Sequence, residues 1–417
     1  MQPSGPRPPK VPAALLALYV VVFAGFLGYS LMITVFTPMI LGGGGGLLPA
    51  SAGTAERTLT LGVLLALYPL GQFLGSPVLG GLSDRFGRRP VLLVSLAAST
   101  VMYGVIALAL ARESLPLLMA ASFAAGLAEA NMAIAQGAIT DAAPRAERNR
   151  LFGYVYLSAS LAYVAGPLLG GKLADASGYA APYWAVMAIL AVVLLVVSRT
   201  FRETARPRAA GSRPGYADAF TNLARVVTDR RLRPLYLVNF VLYLALFGFF
   251  RAYPMYLVDE FGLDVGEVAE YVAYVAVPIV IANLWLVGAL SRRYEPRTMA
   301  IGAAVATGAL MALVVIPSSE ISLWFTLGPV ALALAICLPA CAAMLSLAAG
   351  DEEQGRAMGN NQSMQVGAEA MSGLAGGGLA AVAVRLPLLV FAAAAVLGGL
   401  LLARVGARAP ADPALAG

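Results

Sequence analysis

The chain has 417 residues, of which 60% are hydrophobic and 12% charged, against roughly 45–50% and about 25% in soluble proteins. A mean hydropathy of +0.80 leaves too little polar surface to cover a water-soluble globule of this size, so the sequence reads as an integral membrane protein. It has no histidine, which excludes Ser-His-Asp hydrolysis and histidine-held zinc or haem. Its net charge of +6 is nearly all arginine in loops, which points to topology rather than to nucleic acid.

A helix that crosses about 30 Å of hydrocarbon needs about 20 consecutive apolar residues. After ten residues expected to be disordered, charge-free runs mark span 1 (11–41), span 2 (58–83) and span 3 (90–111). Span 4 (114–140) holds one charge, Glu129, while spans 5 (151–171) and 6 (176–198) hold none. The segment 199–233 carries nine arginines with Pro and Gly, and reads as a linker with a short interfacial helix over 216–227. Span 7 (234–257) contains Arg251, and spans 8 (271–291), 9 (298–319) and 10 (321–350) are charge-free. Span 11 (357–384) contains Glu369, span 12 covers 386–403, and residues 405–417 are expected to be disordered. The fold class is an all-α membrane protein with twelve transmembrane helices, in six-helix bundles over 11–198 and 234–404. Continuous apolar runs exclude a β-barrel, whose strands alternate. The first run is too long for a signal-peptide core and lacks a cleavage site. The glycine-rich stretch 42–54 is expected to be flexible. Cys337 and Cys341, one turn apart in span 10, read as packing residues.

Of the 28 Lys and Arg, only Arg57, Arg112, Lys172 and Arg385 fall in outer loops if the N-terminus is inside, and Arg251 lies within a span. The other 23 are then on the inner side. The positive-inside rule therefore places both termini in the cytoplasm.

The two halves repeat. Gly80–Arg89, after span 2, corresponds to Gly288–Arg297, after span 8, at an offset of 208. Gly153, Ala162, Gly166, Pro167, Gly170 and Gly171 of span 5 correspond to Gly359, Ala368, Ser372, Gly373, Gly376 and Gly377 of span 11, at an offset of 206. Duplicated sextets with a site between them at mid-membrane are a transporter plan.

These residues carry a family resemblance. Gly80–Arg89 resembles the G-x-L-x-D-R-x-G-R-R signature after helix 2 of the major facilitator superfamily. The span 5 pattern from Gly153 to Gly171 resembles the helix 5 signature of its proton-antiporter branch, with Ala162 in place of one Gly. Residues 64–96, with Tyr68, Gln72, Pro77 and the Arg-Arg-Pro of 88–90, are similar to the tetracycline and multidrug efflux proteins. Three features depart from those exporters: span 1 has no acid, Ser122 stands near where helix 4 carries an arginine, and span 8 has no acid or histidine at depth. Tetracycline itself is therefore not the expected cargo.

A charge at the bilayer centre costs about 2.5–3.5 kcal/mol on insertion scales, so Glu129, Arg251 and Glu369 should face an aqueous cavity or one another. Glu129 shares a helical face with Ser122, Gln136 and Thr140. A carboxylate in a low-dielectric cavity is costly to keep charged and so can load and release a proton; the alternative is a hydrogen-bonded structural Glu. Asn361, Gln365 and Glu369 form a polar stripe on span 11, as proton and substrate groups or as an interhelical seam. Arg251, with Asn239, Tyr243 and Phe247 preceding it at steps of four, cannot discharge. It binds an anion, pairs with one of the acids, or snorkels outward. Tyr29, Tyr68, Tyr253 and Trp324 are candidates for an apolar substrate wall, or pack.

The resemblance implies that spans 1, 4, 7 and 10 line the cavity and that Asp84 locks the halves together near the start of span 11. Arg85, Arg88 and Arg89 would pair with Asp84 or with lipid headgroups, around the turn at Gly87; the alternative for the group is plain topology anchoring. Gly166, Pro167, Gly170 and Gly171 would give a bend and close packing in span 5. The expected substrate-binding set is Arg251, Glu129, Gln136, Tyr243, Asn239, Asn361, Gln365, Tyr29 and Gln72, with Glu129 and Glu369 coupling protons. No ATP-binding loop, catalytic constellation or metal-ligand cluster occurs. The expected function is proton-coupled efflux of a drug-like or metabolite molecule by alternating access. The alternative is proton-coupled import, or facilitated passage, of a small organic anion. The expected partners are that small molecule, protons and the bilayer of a bacterial-type inner membrane. Neither a cofactor nor nucleic acid is expected, and the protein is expected to be a monomer.

Overall fold

The computed structural model describes residues 13–43, 46–129, 131–142, 145–204, 226, 228–317, 319–349 and 354–405. Regular structure among them is helical throughout. This is what lipid demands, because a helix satisfies its own backbone groups. The first half holds α1 (Ala13–Leu41), α2 (Thr54–Phe86), α3 (Arg88–Ala111), α4 (Leu115–Ala128), α5 (Asn131–Ala142), α6 (Arg145–Ser177) and α7 (Ala181–Thr200). The second holds α8 (Arg233–Phe261) and α9 (Val265–Ile281), which runs through a π segment (Ala282–Leu286) into α10 (Val287–Ser291). It continues with α11 (Pro296–Leu313), α12 (Glu320–Ala349), α13 (Gln354–Ala380) and α14 (Leu386–Val405). Among the described residues, nine segments are long and apolar enough to cross a membrane. The other three expected spans fall on α6, on α9 through α10, and on α13. The interfacial helix expected over 216–227 and both termini fall almost wholly outside the described residues.

Two differences from the expected spans have physical reasons. Span 4 is not one helix: it stops at Ala128 and resumes at Asn131. The stretch expected to be flexible before α2 is partly held. Arg57 donates to the carbonyls of Ile40 (3.1 Å) and Ala52 (3.0 Å), and Leu47 is buried. Elsewhere local chemistry sets the ends. Gly262, left-handed at φ 68°, stops α8. Asp264 and Glu267 start α9 with reciprocal side-chain-to-backbone bonds of 2.8 and 2.9 Å.

Each half has its own core, and the halves meet along two seams, α2 against α13 and α6 against α9. At the first, a Cβ on Gly62 would lie 2.7 Å from the Gly373 carbonyl and 2.7 Å from the Gly377 Cα. At the second, a Cβ on Gly171 would lie 2.3 Å from that of Ala269. Backbone this close excludes any side chain at either glycine. The repeat offsets carry Gly171 onto Gly377 and Gly62 to within one residue of Ala269, so the seams are mates under the duplication. Both lie at the end opposite the arginine-rich turns. Among the described residues, Gly80 and Gly81 of α2, Gly288 of α10 and Gly359 of α13 have no neighbour within 4 Å of where a Cβ would stand, as is also true of Gly53, Gly178, Gly262 and Gly378 at the other end.

Candidate functional site

Glu129 lies at the interruption between α4 and α5, in extended backbone (φ −86°, ψ 102°), and is buried. An interrupted helix frees carbonyls that lipid cannot satisfy. Two serines from neighbouring helices supply the donors: Ser95 of α3 bonds to the Ala128 carbonyl (2.5 Å) and Ser76 of α2 to that of Glu129 (3.0 Å). The carboxylate accepts from the Tyr68 hydroxyl (3.1 Å) and the Asn131 amide (2.6 Å), and among the described residues no cation pairs with it. Tyr68 reaches it because Gly126 lets α4 rest directly on α2, where a Cβ would fall 2.0 Å from the Tyr68 carbonyl. On α1, Gly25 leaves the space that the Glu129 and Asn131 side chains fill.

Arg251 and Glu369 form the second site. Arg251 on α8 is 1% exposed, and its guanidinium lies 3.3 Å from Glu369 Oε1 on α13. It also donates to Ser372 (3.0 Å) and to the Tyr29 hydroxyl, while its buried Nε has no partner among the described residues. Tyr29 of α1 in turn donates to Glu369 (2.5 Å). A buried pair of this kind survives because further hydrogen bonds meet its remaining donors and acceptors. Arg251 therefore does not snorkel: it pairs with one of the two acids, through a network that also reaches across to the first half. The Tyr29 and Tyr68 rings stack at 4.7 Å and 15°, so the two acid sites adjoin.

The remaining candidates divide. Asn361 is buried with Asn239 and Tyr243; it accepts from Asn239 (3.1 Å) and donates to Tyr243 (2.7 Å). These bonds knit α13 to α8, one turn after another, below the Arg251–Glu369 pair. Gln365 on the same stripe and Gln72 on α2 are half-buried, without side-chain hydrogen bonds among the described residues. Gln136 bonds to Tyr156 on α6 (3.3 Å), and the interruption breaks the regular helical register that would set it on the Glu129 face. Ser122 is buried; the side chain of Thr140 lies outside the described residues. Phe247 packs near Tyr243, Tyr253 on Phe249 and Trp324 on Tyr271, all within the second half.

At the arginine-rich end, Asp84 pairs with Arg88 (2.6 Å); the side chains at the start of α13, where its other expected partner lies, are outside the described residues. Arg88 also reaches Asp141 of α5 (2.9 Å) and Ser83 (2.6 Å). Arg89 donates to the carbonyls of Phe201 (2.9 Å) and Ser198 (2.7 Å) at the end of α7. Glu203 accepts from the backbone N–H of Arg88 and Arg89, below a turn that Gly87 makes at φ +100°. Arg85 is exposed, 5.0 Å over Phe86. This motif thus braces α2, α3, α5 and α7 of one half. Gly166 and Gly170 press α6 onto Ser30 and Leu31 of α1, Ser30 bonds to the Ala162 carbonyl (3.0 Å), and Pro167 is buried within a continuous α6. Among the described residues no three acidic or cysteine side chains are placed to hold a metal.

Sequence reasoning did not single out Asn131, Ser76, Ser95, Asp141 or Glu203. Asn131, two residues from a buried acid, and Asp141, at the basic end of the same span, had local signals; the others did not.

Comparison with known proteins follows this geometry. The model of the Major Facilitator Superfamily matches residues 18–334 and 235–416. The chain is 31% identical over 307 residues to the class G tetracycline resistance protein of Vibrio anguillarum, covering 73% of this chain and 76% of that protein. It is 38% identical over 147 residues to the class B protein of Escherichia coli, covering 35% of this chain and 36% of that one. The chain thus spans about a third of the length of the class B relative. The crystal structure of the human organic anion transporter MFSD10 (TETRAN) superposes with a TM-score of 0.70 at 19% identity, over 95% of this chain and 100% of that one; at that identity the likeness is one of fold.

Proposed function

This chain belongs to the Major Facilitator Superfamily, and from that premise we propose that it is a proton-coupled exporter of a drug-like or metabolite molecule, working by alternating access. It is a multi-pass membrane protein and a transporter, not an enzyme. In this reading all twelve spans cross the bilayer, residues 11–198 and 234–404 are the two rocking units, and both termini and the arginine-rich loops face the cytoplasm. It acts as a monomer and needs no cofactor. The seams at Gly62 and Gly171 close the outer end.

The observation that carries the reading is the pair of buried acids, Glu129 within the first half and Glu369 where α13 and α8 meet α1. Glu129 and Glu369 load protons from outside and release them inside. Each elementary charge that crosses 100 mV supplies about 2.3 kcal/mol. Asn239, Tyr243, Asn361, Gln365, Gln136 and Gln72 line the solute route, and Asp84 joins α13 in the opposite state. The relatives' names make tetracycline the first probe, followed by compounds chosen from a thermal-shift screen at two pH values. In liposomes an imposed pH gradient should drive uptake by the wild type, and Glu129→Gln and Glu369→Gln should each weaken it. Equal uptake with both replaced removes them as proton carriers.

A second reading rests on Arg251, whose unpartnered Nε is a donor ready for an anion. It makes the cargo a small organic anion carried inward. Arg251→Ala should then abolish binding of anions alone, whereas the first reading has it weaken every cargo.

A further inference from the structure

The two acid sites lie in different halves yet touch through one pair of rings. We propose that Tyr68 and Tyr29 are coupling residues that make the protonation of Glu129 and of Glu369 interdependent. The inference deepens the reading above and rests on it, since it takes both carboxyls to be proton carriers.

The contact chain is continuous. The Tyr68 hydroxyl donates to Glu129 at 3.1 Å. Its ring lies on that of Tyr29 at 4.7 Å. The Tyr29 hydroxyl donates to Glu369 at 2.5 Å and accepts from Arg251. Both tyrosines are at least 96% buried, with exposures of 1% and 4%, so neither ring can turn without displacing the other. A charged Glu129 offers the Tyr68 hydroxyl a charge-assisted acceptor; once protonated it is a weaker acceptor and a donor itself. Tyr68 then loses its anchor, the stack shifts, and Tyr29 changes its grip on Glu369 and Arg251. The reverse holds by reciprocity of linkage.

The other groups that face these carboxyls are few. Tyr103 of α3 borders the Glu129 pocket beside Gly28, with Asn131 of α5 and Gly25 of α1 completing it. Glu369 faces Arg251 of α8, Tyr29 of α1 and Tyr163 of α6. A coupling of the two sites must therefore run through the stacked pair or directly through space, and these can be separated.

The test is an infrared titration of the full-length protein in liposomes from roughly pH 5 to pH 9. The Glu369 band is assigned by its loss in Glu369→Gln, and its midpoint is read in wild type, Glu129→Gln, Tyr68→Phe and the double variant. We expect Glu129→Gln to move the Glu369 midpoint by about one pH unit, and Tyr68→Phe to abolish that shift while the Glu369 band still titrates. Tyr29→Phe, which also keeps its ring, should abolish it too. A side chain that only filled space would leave the shift intact. The same shift persisting in both phenylalanine backgrounds would overturn the coupling, as would no shift in the wild-type background. Independent titration of two active carboxyls removes the coupling and leaves the transport reading; two carboxyls that never titrate remove both.

Discussion

Glu129 and Glu369 are both buried acids, but their surroundings differ in kind. Glu369 faces a guanidinium at 3.3 Å, whereas among the described residues Glu129 meets a phenol and an amide. The first is a charge held by a charge, so taking away either partner leaves an uncompensated ion. The second is held by neutral donors, so its replacement leaves no uncompensated ion. The ion pair ties α8 to α13, whereas the bonds to Glu129 join α2 and α5 within one half.

Variants can break or sharpen this contrast. Arg251→Ala leaves Glu369 buried without its cation and should lower stability by about 3–5 kcal/mol in unfolding melts of the purified protein. Adding Glu369→Ala should restore much of the loss, and an unchanged melt for the single variant would mean that no ion pair forms. Ser95→Ala and Ser76→Ala each orphan a carbonyl at the interruption beside Glu129. Each should cost about 1–3 kcal/mol in the same melts, and no effect would argue that α4 and α5 run on as one helix. Glu129→Gln should cost less than about 1 kcal/mol yet flatten the pH dependence of transport. A loss as large as that of Arg251→Ala would erase the distinction between the sites. Asp84→Asn touches a pair whose acid is 30% exposed, worth about 0–1 kcal/mol. Its effect should show in cysteine labelling from the arginine-rich end, since it loosens Arg88 from α2 while Asp141 still holds it to α5.

The halves, the repeat and the three buried charges were legible in the sequence, because lipid makes each visible. Apolar runs must be long, duplicated signatures keep their spacing, and an ion in hydrocarbon stands out. The offset of 206 also named Gly171, Gly373 and Gly377, which stand at the seams; Gly62 was not singled out. The interruption at Glu129 was not legible: the local sequence Leu127-Ala128-Glu129-Ala130-Asn131 holds neither Pro nor Gly. What stabilises it is Ser76 and Ser95, distant in sequence, whose hydroxyls replace the lost helical bonds. A face computed at a constant 3.6 residues per turn, such as that of Ser122, Glu129 and Gln136, does not carry across a broken helix. The partner of Arg251 was left open among several, because only packing selects between two acids in different halves. Asp84 pairs with Arg88, one of the partners the sequence left open, and the side chains at the start of span 11 lie outside the described residues.

Distances across the two ends test alternating access most directly. Spin labels at Glu56 and Val382, near the sealed end, and at Phe86 and Tyr294, near the arginine-rich end, would be measured in liposomes at low and high pH. The mechanism predicts two populations at each end that shift in opposite directions with pH, one end widening as the other narrows. A single pH-independent distance at both ends, in a protein that still transports, would contradict it.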